Sequence, residues 1–314
     1  MAHAGTGGLP LARREACCNN AGVFHQPKTI REALALKAEL KEHGTFIAGG
    51  TDLVVLMNAG KAAPESFIDL SHIQELREIR HTNGSGKGRV VGQAPRLPSP
   101  ETAAGGAPAL QSQIVLAGNV THAQCGKLPV KCLAQASLSV GGPGIRELGT
   151  IAGNIATASP AGDGSTALLA LDAEVELTSV RGTRTMPLEK FFLSYRKTAI
   201  APDEMITKVS IPATYRSEWL KNGKRGAVNI SVVAAAVAIT PKKEARIALA
   251  SVAAFPMRCH KAEAAFAKGA DARQVADIVR TEIKPITDHR ASADYKVHLA
   301  GVMVRRLLES LCGN

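Results

Sequence analysis

The chain has 314 residues, 45% of them hydrophobic and only 4% aromatic, with one Trp and three Tyr. That length supports two or three substructures around sizeable cores, and so few rings exclude an aromatic stacking platform for single-stranded nucleic acid. The net charge of +11 comes from 38 Lys and Arg spread along the chain. A dispersed excess fits an anionic ligand or an acidic partner better than a nucleic-acid groove.

Residues 1–22 read as a disordered, small-residue leader. No apolar segment follows Arg13-Arg14, so no secretory signal is read there. A helix begins at Thr29 and Glu32, which stand in capping-box relation, and runs to about Leu40. Short strands follow at Thr45–Ala48 and Ser66–Leu70. From Thr82 to Gln113 the chain is rich in Gly, Ser, Pro and Ala and reads as a loop or mobile insertion.

Structure resumes with a strand at Ile114–Ala117 and a helix near Pro129–Leu138. A buried helix is expected at Thr166–Leu171, and strands at Glu174–Val180 and Met205–Ile211, the last stopped by Pro212. The final hundred residues read as two strands (Ile230–Ile239, Arg246–Ala254) and helices near 261–268, 273–284 and 293–311, a separate α+β domain. The six cysteines, at 17, 18, 125, 132, 259 and 312, make no Cys-x-x-Cys pair. The longest strictly apolar run, Val232 to Ile239, is too short to span a membrane. These features together imply a reduced, cytoplasmic protein with free thiols and no metal site.

Two glycine segments carry the functional signal: Phe46-Ile-Ala-Gly-Gly-Thr-Asp-Leu53 and Gly149-Thr-Ile-Ala-Gly-Asn154. Glycines let a backbone approach a phosphate closely and permit positive φ, so that successive N–H groups converge on an anion. Neither segment is a Gly-x-Gly-x-x-Gly or a P-loop, so neither a Rossmann nor a phosphoryl-transfer assignment follows. On their residues alone they are anion-binding loops or tight turns.

The ordered set of motifs narrows this. Phe46–Leu53, Thr121-His-Ala-Gln124, Ile145–Asn154, Ala158-Ser-Pro-Ala-Gly-Asp163, Leu169–Ala173 and Tyr195-Arg-Lys-Thr198 together resemble the FAD-binding medium subunit of the molybdenum hydroxylases, over about Phe24 to Leu308. That family includes the flavin domain of xanthine dehydrogenase and the flavoprotein subunit of carbon monoxide dehydrogenase. The resemblance implies an α+β fold: a two-part FAD-binding domain of the vanillyl-alcohol-oxidase/PCMH type over 23–213 (subdomains about 23–80 and 114–213), then a smaller α+β C-terminal domain over 214–314.

The resemblance also implies roles. Ile47, Ala48, Gly49, Gly50, Thr51, Asp52 and Leu53 should wrap the FAD pyrophosphate through their amides. Thr150, Ile151, Ala152, Gly153 and Asn154 should complete that cradle. Asp163 should bond the adenosine part, Ile206 the adenine region, while Lys221 and Tyr195 should lie near the flavin. On residues alone, Asp163 also fits a helix N-cap, Lys221 an exposed basic turn, and Tyr195 a partly buried core aromatic. His122 and His260 read as surface or capping residues, and no catalytic constellation emerges.

Three departures stand out. Ala152 replaces the usual glycine, Asn229 the usual Asp, and the 82–113 stretch is long. Relatives with an extra iron–sulfur cluster carry four cysteines for it; with only Cys125 and Cys132 in the region, none is expected here. The implied partners are a molybdenum-cofactor large subunit and an iron–sulfur small subunit, with NAD or another acceptor taking the electrons. The rivals are a stand-alone FAD-dependent reductase or oxidase and a non-enzymatic basic binding module.

Overall fold

The computed structural model describes residues 22–82, 88–90, 112–226 and 228–313. The expected leader therefore lies outside the described residues, Gly22 excepted, as does most of the 82–113 stretch.

The first unit is a small parallel sheet. β1 (Val23–His25), α1 (Ile30–Leu40), β2 (Gly44–Ile47), α2 (Leu53–Asn58) and β3 (Ser66–Asp69) alternate, with sheet order β1-β3-β2. The Thr29 hydroxyl accepts from Glu32 N at 3.2 Å. The Glu32 carboxylate, however, takes Lys28 N at 2.7 Å, so only half of the expected capping box forms.

The second unit is a six-stranded antiparallel sheet with a helical insertion. β4 (Ile79–Thr82), β5 (Gly88–Val90) and β6 (Gln113–Ala117) precede α3 (His122–Cys125), α4 (Lys131–Leu138), α5 (Pro143–Leu148), α6 (Ile151–Thr157) and α7 (Asp163–Ala170). Next come β7 (Glu174–Ser179), β8 (Gly182–Pro187), α8 (Leu188–Phe191), β9 (Phe192–Ser194), β10 (Lys197–Thr198) and β11 (Met205–Pro212). The sheet order is β5-β4-β6-β11-β7-β8. The loop expected over 82–113 is corrected where it is described. Thr82 closes β4, Gln113 opens β6, and Gly88–Val90 pairs antiparallel with β4 in register Arg80↔Val90 and Thr82↔Gly88. That pairing makes the segment a strand, whatever its low-complexity composition suggests.

The third unit has an antiparallel sheet, β12 (Arg216–Gly223), β13 (Ser231–Ile239), β14 (Ala245–Ala250) and β15 (Met257–Arg258), in that order. Helices α9 (His260–Ala267), α10 (Ala272–Glu282) and α11 (Ala293–Cys312) cover it. All nine residues of β13 are buried, and its two faces serve two cores. Ala234, Ala236 and Ala238 join the core that includes Ala167, Leu168 and Leu171 at α7. Val233, Ala235, Val237 and Ile239 join the core formed with the C-terminal helices. Small side chains on one face let α7, itself buried along its whole length, pack closely against the strand. β14 ends at Ala250, short of the expected Ala254, because Ser251 takes φ 63 and donates its N–H to Pro160 O at 2.7 Å.

Candidate functional site

The first glycine segment lies between β2 and α2. The chain turns through Gly50 at φ 67, a conformation that favours glycine. Among the described residues, the N–H groups of Gly49, Gly50, Thr51, Asp52 and Leu53 have no protein acceptor. Five consecutive amides at a strand-to-helix turn are thus free to meet an anion. Gly49 has a second duty: a Cβ there would lie 1.8 Å from Leu148 O, so the two glycine segments touch backbone to backbone at this point.

The second segment is built differently. Thr150 is the N-cap of α6, and its Oγ1 accepts from Gly153 N at 3.1 Å. Ile151 N donates to Val120 O at 2.9 Å, Ala152 N to Gly118 O at 3.4 Å and Asn154 N to Thr150 O at 3.0 Å. Its amides from Ile151 to Asn154 are therefore engaged inside the protein, the Thr150 and Ile151 side chains are buried, and Asn154 Oδ1 is taken by Ser165. The Ala152 methyl fits beside Gly118, where an added methyl would lie 3.6 Å from it.

Between the segments is a cleft of about 310 Å³, lined by Ala48, Gly49, Ser71, Arg77, Asn119, Thr121, Gln124, Glu147, Leu148 and Thr150. Of these, Ala48, Gly49 and Thr150 were expected from the sequence. Arg77, Ser71, Asn119, Thr121 and Gln124 were not assigned roles. Only the Thr121/Gln124 pair left a readable local signal, the capping-box spacing, and that box forms. Arg77 donates to Ser71 O, and Asn119 Nδ2 donates to Leu70 O at 2.5 Å. These contacts fix the 70–77 stretch beside the cleft.

Asp163 and Lys221, 58 residues apart, meet across the boundary between the second and third units. Asp163 Oδ2 accepts from Lys221 Nζ at 2.6 Å and from Ser139 Oγ at 3.2 Å, and Oδ1 accepts from Ser231 Oγ at 2.9 Å. Lys221 also donates to Ser139 O at 3.1 Å. Burial pushes the Asp163 carboxyl above its ordinary pKa, while the Lys221 ammonium and the two hydroxyls limit the rise. Two sequence alternatives are corrected here. Gly162, not Asp163, is the N-cap of α7, and Lys221 is a nearly buried strand residue rather than part of an exposed turn.

Tyr195 sits in the β9–β10 turn and is 61% exposed, so it is not a core aromatic. Its neighbour Arg196 reaches to 3.5 Å from Asp52 Oδ2, which also accepts from Thr157 Oγ1 at 3.3 Å. Asp52 thus ties this hairpin and the end of α6 to the first segment. Ile206 is buried in the core beside α6, its carbonyl against Gly118. Asn229 packs over Gly223 and donates to Arg225 O. The reading of His122 as a surface residue is overturned: it is 2% exposed, and burial followed by the nearby Arg146 charge lowers its pKa to about 4. His260, by contrast, is exposed at the start of α9 and pairs with Glu189.

Residues 18–92 and 106–214 match the family described as the FAD binding domain in molybdopterin dehydrogenase. Residues 218–311 match the CO dehydrogenase flavoprotein C-terminal domain. The chain belongs to the FAD-binding subunits of the molybdenum hydroxylase family. It is 31% identical over 297 residues to the carbon monoxide dehydrogenase medium chain of Afipia carboxidovorans, covering 91% of this chain and 95% of that one. It is 35% identical over 228 residues to the nicotinate dehydrogenase FAD-subunit of Eubacterium barkeri, covering 69% of this chain and 68% of that one. Carbon monoxide dehydrogenase from Hydrogenophaga pseudoflava, in a form lacking the Mo-pyranopterin moiety, superposes with a TM-score of 0.77 at 28% identity. That match covers 93% of this chain and 97% of the other.

The α+β architecture with an FAD-binding part and a C-terminal domain is the fold of this family. The chain is an oxidoreductase subunit and its cofactor is FAD. The free amides of the first segment and the adjoining cleft fit a dinucleotide's phosphates. Among the described residues no helix is long and apolar enough to cross a membrane.

Proposed function

We propose that this chain is the flavoprotein subunit of a molybdenum hydroxylase complex, receiving electrons from iron–sulfur clusters in a partner small subunit and passing them to NAD or another acceptor. A molybdenum-cofactor large subunit would oxidise the organic substrate. The observation that carries the reading is the run of five unengaged amides from Gly49 to Leu53, beside a cleft that a dinucleotide's phosphates would fill.

When bound, FAD supplies the capacity to take electrons singly and deliver them as a pair. The protein's part is to hold and orient it. Ile47 to Leu53 form the pyrophosphate cradle, and Thr150 to Asn154 close it from the α6 side. Asp52 anchors the hairpin that carries Tyr195 beside the cradle. Asp163 and Lys221, expected at the adenosine part and near the flavin respectively, bond each other at 2.6 Å, so the two serve one part of the FAD, with Ser139 and Ser231 holding the carboxylate. Ile206 serves as apolar backing near the adenine.

Purified alone, the chain is expected to bind one FAD and show only slow NADH–dye turnover. Rapid substrate-driven reduction of an acceptor should require its partner subunits. Fast turnover by the chain alone would instead favour a stand-alone flavin reductase.

A further inference from the structure

His122 is a buried polar residue that the arrangement above leaves unexplained. Its ring is 2% exposed, and Nδ1 is fully enclosed with no hydrogen-bond partner. Its position is set by the backbone, since His122 N donates to Gly149 O at 2.9 Å and Thr121 bridges to Thr150. The ring thus stands at the joint between the second glycine segment and the start of α7.

Two glycines define what the far edge of the ring faces. A methyl on Gly149 would lie 3.3 Å from His122 Cδ2, and one on Gly164 would lie 3.3 Å from Cε1. Those two carbons flank Nε2, so Nε2 occupies the gap between two faces without side chains. Thr51 Oγ1 lies 3.3 Å from the same added methyl on Gly149. Asn154 Oδ1 lies 3.0 Å from an added methyl on Gly164 and already accepts from Ser165 N and Oγ, both at 2.9 Å. An enclosed N–H without an acceptor is rarer and costlier than an enclosed lone pair. The proton therefore belongs on Nε2, which finds no acceptor among the described residues.

We propose that His122 is a cofactor-positioning residue whose Nε2–H donates to a pyrophosphate oxygen of FAD where the two glycine segments meet. This rests on the FAD reading above. Burial beside the Arg146 cation keeps the imidazole neutral, so it acts as a directed donor rather than as a counter-charge.

The test uses the full chain stripped of flavin and titrated with FAD, followed by flavin fluorescence, with thermal melts of each variant. His122→Leu should weaken FAD binding about tenfold or more, as loss of a hydrogen bond to a charged acceptor does. His122→Gln, whose amide nitrogen falls near the Nε2 position, should recover most of that loss. In wild-type chain labelled with ¹⁵N-histidine, the Nε2 resonance of His122 should shift on FAD saturation. An unchanged resonance in a chain that binds FAD, or wild-type affinity in His122→Leu, overturns the proposal alone. A wild-type chain that takes up no FAD overturns the FAD reading with it.

Discussion

The Lys221 ammonium lies 2.6 Å from Asp163 Oδ2, joining strand β12 of the C-terminal unit to the first turn of α7. Both side chains are nearly buried, so removing either partner strands a charge in a poorly solvated site. Asp163→Ala is expected to cost about 3–5 kcal/mol, and Lys221→Met should also destabilise. The double variant should lose less than the sum of the two, with a coupling energy of about 1–3 kcal/mol in denaturant melts. Strict additivity would mean the pair is not formed.

Gly49 and Gly153 separate the structural use of glycine from the ligand-binding one. A Cβ on Gly49 would collide with Leu148 O at 1.8 Å, so Gly49→Ala must push the two segments apart. A loss of about 1–3 kcal/mol is expected from such overpacking, together with weakened FAD binding. At Gly153 the only neighbour of a Cβ is the capping Thr150 Oγ1 at 3.0 Å, and the residue is helical, so the tight contact and the helical gain of about 0.5–1 kcal/mol oppose each other. Gly153→Ala should therefore damage stability far less than Gly49→Ala. Equal damage from both substitutions would contradict this geometry.

Arg258 locks the C-terminal sheet to the FAD-binding part. It makes a two-pronged pair with buried Glu263, at 2.6 and 2.7 Å, and reaches Asp172 Oδ1 at 2.6 Å. Arg258→Ala leaves the Glu263 carboxylate buried without its cation and should cost about 3–5 kcal/mol. Calorimetry should show the loss as a lower melting temperature; an unchanged melt would show that the network contributes nothing.

His122 makes stability depend on pH. Its pKa falls from an ordinary 6.5 to about 4 because burial, then the Arg146 charge, disfavour the protonated ring. A depressed folded-state pKa means that the unfolded chain binds the proton first. Stability should therefore decline as pH drops below 6.5 and go on declining to about 4. The total is about 3 kcal/mol at about 1.4 kcal/mol per pKa unit. Urea midpoints at neutral pH and near the lower limit would measure it, and His122→Leu should flatten the difference. An equally steep acid loss in that variant would assign the effect elsewhere.

Much of the fold was legible because its elements have strong local periodicity. The unbroken apolar run of β13 reads as a strand, the apolar Thr166–Leu171 run as a buried helix that the structure starts three residues earlier, at Asp163, and α11 as a long helix. The site was legible only in part. Gly49 to Leu53 read correctly as a strand running into a glycine turn, since that geometry is local. The Lys221–Asp163 pair was not, because neither residue's neighbours announce a partner 58 positions away. His122 looked like a surface residue for the same reason: its burial comes from Gly149 and Gly164, which close on it only in the folded chain. β5 was hidden by a composition that carries no strand signal, though its backbone pairs with β4.

The central claim is that the amides of Gly49 to Leu53 cradle the pyrophosphate of FAD, and a visible absorbance spectrum of the purified chain tests it most directly. The prediction is a yellow protein with bands near about 375 and about 450 nm, one FAD per chain, and a much weaker hold on riboflavin, which has no pyrophosphate. A colourless chain that also fails to take up added FAD would contradict the account, as would equal affinity for FAD and riboflavin.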